Sequence, residues 1–353
     1  MSARADRLAA LTAERELDCL LVTEALNVRW LSGFTGTNGA CLVSRDERLF
    51  FTDFRYVEQA RGQVHGFELL EVGRDMLGGM ADRVGGRTGF DDAHMSVRTH
   101  ARLAEKAAEE VELVAAGDLV ERLRAIKDAD ELRAMKAAAE LADRAYEHIR
   151  DRGLSGRTER SVALDVERFM EDAGAEGPSF PAIVAAAAHG ARPHAEPRDV
   201  EIPRGTLVVV DMGARVDGLC SDCTRTLATG PLEDDVLEVY ELVRSAQEAA
   251  RNAVRAGAEC RDVDAVARDL ITAAGHGEHF GHGLGHGVGL AVHEDPRLTR
   301  TAEGSLEAGN TVTVEPGVYL PDRFGVRIED LVVVTDDGCQ ALTAFPKELV
   351  TVD

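Results

Sequence analysis

The chain has 353 residues, of which 44% are hydrophobic, and carries a formal net charge of −23 at pH 7. The length favours two domains over one, with ample apolar residues for a core. The charge argues against nucleic acid or an anionic membrane surface as partner, and no run of about 18 apolar residues offers a membrane span.

The charged N-terminus, MSARADRLAALTAERELDCLLV, does not read as a signal peptide, so a soluble, cytoplasmic protein is expected. The basic residues are nearly all arginine; Lys106, Lys127, Lys136 and Lys347 are the only lysines. Two readings of this bias stand side by side: a surface suited to a salt-rich cytoplasm, or codon bias towards arginine.

In chain order, an amphipathic helix is predicted over 3–16 and a strand over 19–22. Asn27 to Gly39 reads as turn-rich, CLVS and RLFFT as a hairpin, and Asp53 to Gln63 as a helix. FELLEV is a further strand and 98–109 a further helix. Alternating strands and helices make this a small α/β domain. Asp53, Arg55 and Tyr56 are its only cleft candidates, and a loop-to-helix boundary explains them equally well.

Leu119 to Ile149 has apolar residues at helical spacing, with Asp128, Asp130 and Glu131 at a helix start. The domain boundary is therefore placed near residue 122, giving domains 1–122 and 123–353. A helix over 158–173 follows, with Thr158 as N-cap. His189 and His194 fall in a Pro- and Gly-broken stretch, near strand ends or in loops. Helices over 232–256 and 262–274 come later.

Two stretches carry the chemistry. LVVVDMGARVDGLCSDCTRT reads as a hairpin with Asp211 and Asp222 symmetric about the Val216–Asp217 bond. In that register the two carboxylates face each other, Cβ atoms roughly 5 Å apart, and repel unless a cation lies between them. TVTVEPGVY and VRIEDLVVV form a second hairpin with Glu315 and Glu329 symmetric about Asp322. Between them FGHGLGHGVGLAVHE supplies His282, His286 and His293. Two acidic hairpins with histidines between them predict a dinuclear, oxygen-rich metal site. The order helix, helix, acidic hairpin occurs twice and suggests an internal duplication.

Other signals are weaker. Cys220 and Cys223 form a CxxC, but strand alternation puts them on opposite faces and no second CxxC exists, so packing is the expected role. The Gly-rich segment matches no phosphate loop; its glycines allow close backbone approach.

The quoted hairpins, with GHGLGHGVGLAVHEDPR, TVEPGVY and GVRIED, resemble the pita-bread metallopeptidases, which include Xaa-Pro dipeptidase (prolidase), aminopeptidase P and methionine aminopeptidase. NVRWLSGFTGTNGA with TDFRYVEQA resembles the creatinase-like first domain of the prolidase and aminopeptidase P branch. The implied fold is α/β (α+β): a small creatinase-like N-terminal domain and a C-terminal pita-bread domain with internal pseudo-two-fold duplication. The resemblance implies Asp211, Asp222, His286, Glu315 and Glu329 as metal ligands, Asp222 and Glu329 bridging. It also implies a homodimer whose first domain narrows the active-site mouth.

Two divalent ions in such a site activate a water and polarise the scissile carbonyl. Glu315 is placed to shuttle the proton, and His194 and His293 to hydrogen-bond the carbonyl oxygen and the tetrahedral intermediate. His282 is assigned to the substrate pocket, as are Arg297 and Arg327. Thr224 is expected to fix Asp222, and Arg327 to fix Glu329, each by sharing its face. One histidine among four carboxylates favours Mn²⁺ over Zn²⁺, with Co²⁺ as substitute. The expected substrate is a small peptide with proline second. Dipeptidase is preferred because Arg297 matches a position that meets a terminal carboxylate in some prolidases; aminopeptidase P, acting on longer peptides, is the alternative. A lyase or a non-catalytic binding protein on the same fold are readings from other classes; binding-only members lose ligands, and none is lost here.

Overall fold

The computed structural model describes residues 2–73 and 75–353. The chain forms two compact units, Met1–Arg124 and Ala125–Asp353. The first unit holds a six-stranded mixed sheet. Its strands run in the order Glu68–Glu71, Arg48–Thr52, Gly39–Ser44, Cys19–Val22, Arg87–Phe90 and Glu112–Ala115. Leu21, Leu42, Leu49, Phe51 and Phe90 from the sheet pack with Met80 and Leu103 from the helices Met76–Ala81 and Val97–Lys106.

The stretch expected to be turn-rich instead begins with a helix, Ala25–Ser32. The Glu24 side chain caps its first turn through the Asn27 N–H, and Gly33 ends it at φ 80°. The predicted helix over 53–63 is shorter, Val57–Gln63, because Asp53 closes a turn instead. Its carboxylate takes Arg55 Nη2 at 2.6 Å and Asn38 Nδ2 at 2.5 Å.

The second unit repeats one order of elements. The helices Ala129–Arg152 and Glu159–Asp172 precede the first acidic hairpin, and Asp234–Ala253 and Cys260–Ala273 precede the second. Asp128 starts the first of these with a capping box to Glu131, and Thr158 caps the next through Ser161 N–H. Each helix pair covers the sheet that follows it. Tyr146, Ile149, Val162 and Val166 pack on Val208, Val210 and Leu227. Tyr240, Val243, Val263 and Ile271 pack on Val312, Val314, Val326 and Val332. Both apolar faces are thereby turned away from the strand faces that carry the carboxylates.

The two hairpins differ from each other in how they keep the expected register. In the second, Gly317 pairs with Arg327 and Val314 with Asp330, so Glu315 and Glu329 stand between two ladders of the same register, centred on Asp322. In the first, Asp211 pairs with Thr224, not Asp222. The chain turns one residue later, at Asp217–Gly218, closed by the pair Val216 and Leu219. Both turn residues have positive φ, 51° and 81°, as a two-residue type I′ connection requires. Asp222 is brought back beside Asp211 by an irregular neck, where Ser221 N–H donates to Ala214 O and the Ser179 hydroxyl to Ser221 O. Cys220 and Cys223 pack in two different cores, the first beside Val288 and Leu331, the second beside Val210 and Leu227. Among the described residues, no helix is long and apolar enough to cross a membrane.

Gly213 lies in that neck, and a Cβ there would sit 1.9 Å from Ser221 O, a backbone atom that cannot swing aside. Gly213→Ala should therefore cost about 1–3 kcal/mol, read as a lowered Tm. If Asp222 is a metal ligand as expected, the variant should also lower metal content, unlike an ordinary overpacking variant, because the displaced Ser221 is the chain neighbour of Asp222.

Candidate metal centre

Three carboxylates converge on one point. Asp211, Asp222 and Glu329 each offer an oxygen within 4.8 Å of the others, and all three are buried. Asp211 is the last residue but one of its strand, Leu207–Met212; Asp222 sits at the neck of the same hairpin; Glu329 immediately precedes the strand Asp330–Val334. Glu315 and His286 complete the group. His286 Nε2 lies 3.2 Å from Glu315 Oε1 and 3.7 Å from Asp222 Oδ2. The imidazole is oriented from behind, its Nδ1 donating to Gly287 O at 3.0 Å, which leaves Nε2 to face the acids. The Thr313 hydroxyl, two residues away on the same strand face, donates to Glu315 Oε1 at 3.0 Å.

The polar residues around the cluster have partners other than those expected from face-sharing. Thr224 donates to Glu329 Oε2 at 2.8 Å, not to Asp222. Arg327 binds Asp211, not Glu329: Nη2 reaches Asp211 Oδ2 at 2.7 Å, Nε reaches Thr224 Oγ1 at 3.0 Å, and Nη1 reaches Tyr319 OH at 2.8 Å and Pro193 O at 3.2 Å. The reason is the register shift of the first hairpin, which puts Thr224 opposite Asp211 and within reach of both hairpins. With its guanidinium so committed, Arg327 holds Asp211 and Thr224 in place and has no free fork to present to substrate.

Tyr319, which sequence reasoning passed over although it ends the quoted TVEPGVY, joins Arg327 to His282. His282 Nδ1 donates to Gly283 O at 2.7 Å, and Nε2 accepts from Tyr319 OH at 2.9 Å. Alternation along Gly317–Leu320 already put Tyr319 on the face of Glu315, and that was the available signal.

A cavity of about 510 Å³ opens over this group. Asp211, Asp222, His286 and Glu315 lie at its polar side with His194, His282, His293, Arg297 and Arg327; Phe180, Pro181, Ile183 and Val292 supply apolar wall. His293 stacks edge-on against His286, centroids 4.3 Å apart. Arg297 is the cross-strand partner of His286, half-exposed, with Asp295 at 3.8 Å. His189 lies elsewhere, its ring buried 3.0 Å from Glu159.

The electrostatics call for cations. Burial, then Glu329, Asp211 and Glu315, push the Asp222 carboxyl well above its usual range. Burial, then Glu315 and Asp211, do the same to Glu329. Burial also raises Asp211, against the pull of Arg327. Burial opposes ionisation of Glu315 too, but the hydrogen bond and charge of His286 outweigh it and bring it to about 2. Burial and then His286 lower His293 to about 4. Asp211 Oδ1 and Glu329 Oε1 are buried with no hydrogen-bond partner among the described residues. A buried carboxylate oxygen without a donor is costly, and two of them beside a third carboxylate fit divalent cations as the missing partners.

An acidic cluster of this kind, with one imidazole and an open cavity above it, defines a metal-dependent hydrolase site. The chain belongs to metallopeptidase family M24, whose model matches residues 133–336, and the creatinase/prolidase N-terminal domain matches residues 4–126. It is similar to an uncharacterized peptidase, YqhT, of Bacillus subtilis, with 40% identity over 98% of this chain and 99% of that one. Among solved structures, the Xaa-Pro dipeptidase from Bacillus anthracis superposes with a TM-score of 0.95 at 39% identity, covering 99% of both chains. The X-Pro aminopeptidase from Thermotoga maritima superposes at 0.89 and 34% identity, covering 96% of this chain and 99% of that one. The family implies divalent metal ions and a peptide substrate.

The raised carboxyls set a pH dependence. A group whose folded pKa is raised contributes stability below its unfolded pKa and loses it as pH rises through the folded value. Asp222 and Glu329 hold their protons above the ordinary carboxylate range in the metal-free fold, so the metal-free protein should be less stable at pH 8 than at pH 5.5, whereas the metal-loaded protein should not. Thermal unfolding with and without chelator at the two pH values checks this: the Tm drop on chelation should be larger at pH 8. An equal or smaller drop there would contradict the charge-repulsion account.

Proposed function

We propose that the chain is a metal-dependent Xaa-Pro dipeptidase, with Asp211, Asp222, His286, Glu315 and Glu329 holding two divalent cations, Mn²⁺ favoured. The observation that carries this reading is the convergence of buried carboxylates from both hairpins, Asp211, Asp222 and Glu329, of which Asp211 Oδ1 and Glu329 Oε1 have no hydrogen-bond partner among the described residues. Proline specificity and dipeptide length are supported by the likeness to the Bacillus anthracis enzyme. The preference for Mn²⁺ is supported by the donor set, four carboxylates to one imidazole.

When bound, the cations supply Lewis acidity, lowering the pKa of a water and polarising the scissile carbonyl. Glu315 is the proton carrier: its Oε1 is steadied by Thr313, and it passes the proton to the departing proline nitrogen. That nitrogen has no N–H in the intact X–Pro bond, so recognition falls to the shape of the pocket. His194 and His293, both at the cavity wall, donate to the carbonyl oxygen as charge develops there. His282 has both ring nitrogens occupied, and so offers substrate its ring surface. Arg327 and Thr224 keep Asp211 and Glu329 in position. Arg297 receives the terminal carboxylate of the dipeptide.

The likeness to the Thermotoga maritima X-Pro aminopeptidase supports a second reading, in which longer peptides are cleaved at the same bond. A panel of X–Pro dipeptides and X–Pro–Ala tripeptides separates the two; hydrolysis of neither would overturn both. Metal analysis after Mn²⁺ reconstitution should return about two ions per chain, and a ratio near zero would remove the mechanism.

Arg297→Ala tests the dipeptide assignment. A charge-assisted contact is worth about 1.5–3 kcal/mol, so dipeptide hydrolysis should fall roughly 10- to 150-fold. The loss should lie mainly in KM, because ground and transition states share the contact. Tripeptides should lose much less; equal loss on both substrates would show that Arg297 only supports its strand.

A further inference from the structure

Behind the acidic cluster, on the side away from the cavity, lies a second polar group that the chemistry above does not use. Arg225 is fully buried on the strand Cys223–Ala228, and every N–H of its guanidinium is satisfied. Nη1 donates to Thr224 O at 3.0 Å and to Glu329 O. Nη2 donates to Asp330 Oδ1 at 3.0 Å and to Phe345 O at 2.6 Å, and Nε is shared between Phe345 O and Pro346 O at 3.0 and 3.1 Å.

Asp330 is equally saturated. Besides Arg225 it accepts from the Thr343 hydroxyl at 3.3 Å, Gln247 Nε2 at 3.1 Å and Lys347 Nζ at 2.8 Å. The tail segment that supplies these groups is fixed at both ends. Asp143 accepts the N–H groups of Ala344 and Phe345 at 2.9 Å, and Tyr240 OH donates to Lys347 O at 2.9 Å.

Glu329 is thus gripped twice. Thr224 holds its side chain, and Arg225, the next residue, holds its main-chain carbonyl while pairing with the next residue on the other side, Asp330. Resting on the metal-centre reading above, we propose that Arg225, locked by Asp330 and by the tail segment 343–347, is a positioning residue for Glu329, and that the tail is thereby part of the metal site although it contributes no ligand. A buried ion pair of this kind is a poor source of stability in itself. What it supplies here is a fixed position for a residue whose carboxylate meets two others contributed by a different hairpin.

The test is cobalt(II) binding to metal-stripped full-length protein, followed by chelator competition and by the visible absorption of the bound ion, which reports ligand geometry. Arg225→Lys keeps the charge and loses the fork; it should weaken Co²⁺ binding roughly 10- to 100-fold and alter the spectrum. Because that variant can fail to fold, the decision rests on Lys347→Met, at the partly exposed outer edge of this hydrogen-bonded group. It should weaken binding about tenfold with a changed spectrum, and Lys347→Arg should restore both. Asp165→Asn removes a carboxylate that pairs with Arg157 and His148 far along the chain from these groups; it should lower the Tm while leaving Co²⁺ affinity and spectrum unchanged.

Wild-type affinity and spectrum in Lys347→Met would overturn the proposal. So would an equal loss of affinity in Asp165→Asn, which would make the effect one of general destabilisation. Failure of the wild-type protein to bind Co²⁺ at all would instead overturn the metal-centre reading on which the proposal rests.

Discussion

Like charges cannot be buried together without compensation, and this chain buries Asp211, Asp222 and Glu329 within one small volume, with the partly buried Glu315 beside them. Asp211 is still paired on its strand, whereas Asp222, Glu315 and Glu329 lie just outside strands, where the backbone has left its ladder and a side chain can be aimed. The rest of the second unit serves that placement. Two helix pairs cover the outer faces of the two sheets and fix how the hairpins stand, and the cavity is the space left on the uncovered side. Under the proposed function, cation binding and folding would therefore be linked in this unit.

The sequence made the acidic hairpins legible, but not equally. The second could be read by symmetry because its ladders on both sides of Glu315 and Glu329 keep one register, centred on Asp322. The first could not, because symmetry about its two acids puts the turn one residue too early. The Asp217–Gly218 dipeptide is itself the stronger turn signal, and following it would have set Asp211 opposite Thr224. The helix Ala25–Ser32 was hidden for a different reason: a glutamate cap and a glycine stop flank only eight residues, and the Gly-rich stretch beyond it dominates the local pattern.

Side-chain partners were the least legible level. Face-sharing along a strand correctly groups Thr224, Arg327 and Tyr319 near the acids, but it cannot say which acid each one reaches. That choice depends on how two hairpins far apart in sequence are brought face to face. Arg327 crosses from the second hairpin to Asp211 of the first, and Thr224 crosses from the first to Glu329 of the second. These reciprocal crossings tie the two repeats together more specifically than the apolar contacts do, since a hydrogen-bonded fork fits one geometry only.

The division of the acids between two repeats also fixes an order of events during synthesis. Asp211 and Asp222 leave the ribosome well before His286 and Glu315, and Glu329 comes last of the five. A nascent chain that has made only the first repeat holds two neighbouring carboxylates with nothing opposite them. It lacks the second hairpin, so it cannot close the acidic centre. Under the proposed function, the full ligand set exists only in a chain whose synthesis has passed Glu329, and a product that stops short of it holds acids without their partners.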